Sequence, residues 1–168
     1  MKTLVIHPKD STTDFLKVIY SEKDWTIIDD NNISTSKLKE NIKSHDRIIM
    51  LGHGSDKGLF GQNRLIINSN LVYLLKDKNC VCIWCNADEF VKKYKLNGFY
   101  TGMIISDYDE ATMFNIQANY DLIEESNKDF ALAIKKSIDE DNMLEKAKLL
   151  YDGNYSIFEF NRNNLFFK

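Results

Sequence analysis

The sequence predicts an α/β fold in three layers: a mostly parallel sheet of about six strands with helices on both faces. Three observations carry this. Short apolar runs, among them Leu4-Val5-Ile6, Ile48-Ile49-Met50-Leu51 and Val81-Cys82-Ile83-Trp84, are too brief for helices and suit strands covered on both sides. Between them lie segments with apolar residues at helical spacing, and strands alternating with helices are joined by crossovers into a parallel sheet. No repeat, low-complexity tract or linker interrupts the 168 residues and the single proline is Pro8, so residues 1–168 read as one domain.

Residues 3–7 form the first strand, ended by Pro8. Ser11 or Thr12 then caps a helix carrying Phe15, Leu16, Val18 and Ile19, with Asp14 near its positive end. Residues 25–28 make a second strand, closed by the turn-prone Asp29-Asp30-Asn31-Asn32. Ser34 or Thr35 opens a second helix with Leu38 and Ile42 on one face. Residues 47–51 are the third strand. The glycines Gly52, Gly54, Gly58 and Gly61 then break the pattern, and a small hairpin is expected with Leu59-Phe60 as one arm and residues 64–67 as the other. Asn68 or Ser69 caps the next helix. Residues 79–84 form the fourth strand, and residues 88–96 a helix stopped at Asn97-Gly98. Residues 99–106 read as a fifth strand. Residues 111 to about 151 hold two or three helices, one broken near Ser126-Asn127, and residues 155–160 alternate as a last strand.

Composition narrows the function. A formal net charge of -3 and a pI near 5.6 provide no basic field for a phosphate backbone, so nucleic acid is not the expected partner. The first apolar run stops at His7-Pro8-Lys9-Asp10, too short for a signal-peptide core, and no later run reaches the length of a membrane span; no membrane partner and a cytoplasmic location are expected. Cys80, Cys82 and Cys85 are an odd number of cysteines in one cluster, which is not a disulfide framework.

Chemistry concentrates between Arg47 and Cys85. Two apolar strands each end in a reactive side chain, His53 followed by Gly54 and Cys85 followed by Asn86. In parallel α/β sheets the working groups collect at the carboxyl ends of the strands. An imidazole beside a thiol is the minimum set for nucleophilic cysteine chemistry, because the thiolate is the nucleophile and needs a base to form it. Amides at Gly54 and Cys85 are placed to serve as an oxyanion hole. His7 ends a strand at the same rim and is a competing base, whereas His45 precedes its strand and reads as surface.

Other chemistries fit less well. Cys80 and Cys82 belong inside the sheet layer and no second Cys-x-x-Cys pair exists, so no metal is expected. The Gly52-His53-Gly54 stretch lacks the spacing of a dinucleotide loop, and no cofactor is expected. No Gly-x-Ser-x-Gly elbow is present. Asp88-Glu89 read as helix N-terminal acids, and the acidic helix around Asp139-Glu140-Asp141 as a solvated face.

Residues 45–110 resemble the caspase-like superfamily, which includes caspases, gingipains, clostripain, legumains and separases. The likeness rests on an apolar strand delivering His53-Gly54, with Leu59-Phe60-Gly61 beyond, and a later apolar strand delivering Cys85; Gly52 stands where caspases carry serine. The resemblance implies a cysteine endopeptidase acting on a peptide or protein, with His53 as general base or acid, Cys85 as nucleophile, and Gly54 with Cys85 as oxyanion donors. In that fold the strand after the nucleophile helps to build the substrate pocket. Its counterparts here are Ser106, Asp107 and Asp109, whose carboxylates favour Arg or Lys before the scissile bond. The competing expectations are a catalytically silent binding or regulatory module of the same fold and a thiol-dependent acyl transferase.

Overall fold

The computed structural model describes residues 1–168. Its centre is a six-stranded sheet in the order β2-β1-β3-β7-β8-β9, in which all neighbours are parallel except the last pair. The strands are β1 (Thr3–Ile6), β2 (Thr26–Ile28), β3 (Arg47–Leu51), β7 (Asn79–Ile83), β8 (Asn97–Thr101) and β9 (Leu165–Phe167). A second, small antiparallel sheet of β4 (Gly54–Ser55), β5 (Gly58–Phe60) and β6 (Leu65–Ile67) sits between β3 and β7 in the chain. The expected α/β class and three-layer form are what the structure has.

Strand side chains alternate between faces, so continuous apolar runs feed two separate cores. Val5, Ile49, Leu51, Val81, Ile83 and Phe99 point to one face. They meet the 3-10 helix Ser11–Ile19 together with α4 (Tyr108–Met113), α5 (Tyr120–Ser137), α6 (Met143–Leu150) and α7 (Ser156–Asn163). Leu4, Ile6, Ile48, Met50, Cys80 and Cys82 point to the other face. There they pack under α1 (Thr35–Lys43), α2 (Val72–Leu75), α3 (Ala87–Tyr94) and the small sheet. The chain leaves β1 for β2 over the first face and returns from β2 to β3 over the second. Strand order therefore reverses between β1 and β3, and a crevice opens at their carboxyl ends, the usual ligand position in doubly wound sheets.

Several local expectations are corrected. The first helix is 3-10 and is capped by Asp10, whose carboxylate accepts from the Thr12 amide, not by Ser11 or Thr12. Ser34 and Asn68 cap their helices as expected. Helix α3 stops at Lys95 in a left-handed conformation (φ 57°), so Asn97 and Gly98 open β8 instead of ending the helix. Strand β8 ends at Thr101; the Asn161 side chain then holds the chain through both the amide (2.7 Å) and the carbonyl (3.0 Å) of Ile105. Helix α5 runs unbroken through Ser126, whose hydroxyl bonds the Tyr151 phenol (2.6 Å) instead of interrupting the helix.

The apparent alternation at residues 155–160 belongs to α7, which buries Ile157, Phe158 and Asn161 on one helical face. The true last strand is β9. His45, expected at the surface, is buried, with its ring held by the Asn41 carbonyl (2.7 Å) and the Thr26 hydroxyl (2.9 Å). Asp139 is not simply a solvated acid: it pairs with the buried Arg47 (2.9 Å) and with Lys23 (2.6 Å). No helix is long and apolar enough to cross a membrane.

Candidate active site

Strands β3 and β7 are neighbours in a register that pairs Leu51 with Ile83. His53 and Cys85 each lie two residues beyond that last pair. Strand spacing of about 4.8 Å then brings both to one rim, and the two residues line a single small cavity of about 30 Å³ together with Thr13, Phe15, Ile104 and Ser106. That volume holds one water.

Each residue is positioned by its local backbone. Cys85 stands on a corner: Asn86, in a left-handed conformation (φ 64°, ψ 28°), turns the chain from strand directly into α3. Asparagine tolerates this region better than most residues. The amide of Cys85 donates to no protein acceptor. Its thiol donates to the Ile104 carbonyl (3.6 Å) and faces the Glu110 carboxylate (3.9 Å), and it makes no hydrogen bond to His53. Burial pushes the thiol up to about 11, and the Glu110 carboxylate adds to the rise. Cys80 and Cys82 are buried in the sheet, and burial raises both, Cys80 to about 12.

His53 is partly open, with 40% of its side chain exposed. Its Nε2 lies 2.7 Å from the Thr12 hydroxyl and 3.9 Å from Asp10 Oδ2. The Thr12 hydroxyl in turn donates to Asp10 Oδ1 (2.6 Å), so side chains following β1 meet one following β3 at the crevice. Hydrogen bonds from the Thr12 hydroxyl and amide hold the Asp10 carboxyl below the usual carboxylate range. A polar cavity of about 340 Å³ adjoins the small one through Thr13, Gly52 and His53, and continues past Lys9, Asp10, Asn31 and Gln62.

Gly54 has a different surrounding from the one expected. It lies in β4 outside the cavity wall, and the indole of Trp84 covers it: a Cβ there would meet Trp84 Cδ1 at 2.1 Å. The glycine is required by Trp84, whose Nε1 donates to the Ser55 carbonyl (3.0 Å). His7 ends β1 as expected, but its ring is buried and spent on the Tyr20 phenol (2.9 Å) and the Thr13 hydroxyl (3.1 Å).

The acidic stretch after β8 is a helix cap. Asp107 accepts from the Glu110 amide (2.8 Å) while Glu110 accepts from the amides of Asp107 (3.2 Å) and Ser106 (2.7 Å). Asp109 is exposed, in the first turn of α4. Ser106 lines the small cavity and, with Phe15, also walls an outer cleft of about 520 Å³ that includes Asp107, Glu124 and Lys128 beside the stacked rings of Tyr108 and Tyr120. No group of three or more His, Cys, Asp or Glu residues is arranged to hold a metal ion.

Sequence reasoning missed Asp10, Thr12 and Glu110 as parts of this site. Thr12 and Asp10 follow the carboxyl end of β1, and the position of that strand end was a usable signal. The Asp-x-x-Glu spacing of a capping box marks Glu110, though not its place beside Cys85. Comparison of the chain with protein-family models, with curated proteins and with solved structures finds no match in any of the three.

Proposed function

We propose that the chain is a cysteine endopeptidase of caspase-like fold, with His53 as general base and Cys85 as nucleophile. The observation that carries this reading is the shared cavity of His53 and Cys85 at the paired carboxyl ends of β3 and β7. In the reaction His53 takes the thiol proton and the thiolate adds to the carbonyl carbon of a peptide bond. The tetrahedral intermediate collapses as His53 returns the proton to the leaving amine, and water then hydrolyses the thioester. The unspent amide of Cys85, on a tight strand-to-helix corner, supports its part as an oxyanion donor.

The thiol is protonated at rest, since burial first and the neighbouring Glu110 carboxylate second raise its pKa, and no cation stands beside it to offset them. Substrate binding must therefore turn Cys85 from Glu110 toward the imidazole. For the residue before the scissile bond, the two carboxylates of Asp107 and Glu124, against the one cation of Lys128, and the Tyr108–Tyr120 pair support a basic side chain in the outer cleft, by charge pairing and by attraction of a cation to the ring faces.

The second reading is a binding or regulatory module that keeps the fold without turnover. What favours it is the high thiol pKa and the pairing of Cys85 with Ile104 and Glu110. A thiol-directed alkylating probe with peptide mapping separates the two. Selective labelling of Cys85 that is lost in His53→Ala supports the peptidase. Equal reactivity of all three thiols, or labelling indifferent to His53→Ala, supports the module.

A further inference from the structure

We propose that Thr12 and Asp10 are positioning residues that fix the proton of His53 on Nε2 and leave Nδ1 as the basic nitrogen. An ionised carboxylate has no proton to give, so in the contact between Thr12 and Asp10 Oδ1 (2.6 Å) the threonine hydroxyl is the donor. That hydroxyl has one proton. With it committed to Asp10, the contact between Thr12 Oγ1 and His53 Nε2 (2.7 Å) closes only if the imidazole donates. The neutral ring is therefore protonated on Nε2, and Nδ1, which has no protein partner, carries the lone pair. A ring that accepts a second proton at Nδ1 keeps its Nε2–H on Thr12, with the Asp10 carboxylate 3.9 Å from the same nitrogen to balance the charge. The Thr12 amide also donates to Asp10 (2.9 Å), which ties the carboxylate to the start of the 3-10 helix and makes the relay part of the β1–β3 crevice.

The tautomer follows from these contacts alone; its catalytic meaning rests on the peptidase reading. The test is long-range 1H–15N spectroscopy of the full chain with labelled histidine, at a pH where the ring is neutral, the His53 signals being identified by their loss in His53→Ala. The expected result is an Nε2–H pattern in the unaltered protein, with the two ring-nitrogen shifts drawn toward each other in Thr12→Val and restored in Thr12→Ser. Thr12→Val keeps the backbone amide that Asp10 caps, so helix capping is not what the variant removes. An Nδ1–H pattern in the unaltered protein, or nitrogen shifts that do not move in Thr12→Val, overturns the proposal. Labelling of Cys85 measured alongside keeps the two readings apart. A fixed tautomer together with labelling indifferent to His53→Ala overturns the peptidase and leaves the relay standing.

Discussion

The Cys85 sulfur lies 3.9 Å from Glu110 Oε1, so the charged group beside the thiol is a carboxylate on α4. Burial is the larger cause of the thiol's rise to about 11, and the like charge of Glu110 the next. Removing that charge favours the thiolate. Glu110→Gln is expected to lower the thiol pKa by about one unit and to raise alkylation of Cys85 at pH 8 roughly tenfold. Glutamine keeps an oxygen for the Ser106 amide, so the cap of α4 is largely retained. The check is the pH dependence of Cys85 alkylation in both proteins; a rise that stays near 11 in the variant removes Glu110 as a cause.

Gly54 and Trp84 are packed against each other, and the fit leaves no room for a methyl group. A Cβ at position 54 meets the indole at 2.1 Å and the Gly58 carbonyl at 2.6 Å. Gly54→Ala must shift β4 or the ring, at a cost of about 1–3 kcal/mol. Urea unfolding measures this. Because Trp84 also walls the cavity that holds Cys85, the variant is expected to change Cys85 labelling as well. A variant of unaltered stability would show that the small sheet yields freely.

The strand ends that carry His53 and Cys85 were legible because buried parallel strands leave a continuous apolar run and side chains beyond them are forced to the rim. What escaped was set by contacts distant in sequence. Asn161 lies 56 positions from Ile105, yet its side chain holds both backbone groups of that residue in the segment after β8. Residues 155–160 show strand-like alternation, but they belong to a helix with Ile157, Phe158 and Asn161 inward, and tertiary packing overrides a short local pattern. His53 and Gly54 look alike as motif residues. Only the structure separates the first, which faces the cavity, from the second, which accommodates Trp84.

Asn161 supports the wall of the site formed by Ile104 and Ser106. It is buried, and it satisfies both backbone groups of Ile105 while donating to the Tyr151 phenol (3.1 Å). Asn161→Ala leaves those backbone groups without partners in the interior, and the expected loss is about 2–4 kcal/mol. Hydrogen exchange at Ile105 should quicken more than exchange in β3 or β7. Uniform quickening of all three would mean that Asn161 supports the fold as a whole and not this segment.

His7 gives stability a dependence on acid. Burial first, and Lys17 second, lower its pKa from 6.5 to about 4 in the folded chain. Below about pH 6.5 the unfolded chain therefore binds a proton that the folded chain refuses, so stability falls as the pH drops from 6.5 toward 4 and levels off beneath it. The span corresponds to about 3 kcal/mol. Carboxylates also titrate near the lower end, so the contribution is isolated as the difference between the unaltered protein and His7→Gln, whose urea midpoints should converge between pH 7 and pH 4. Curves that run parallel across that range would mean that His7 is not held neutral between Tyr20 and Thr13 in the native protein.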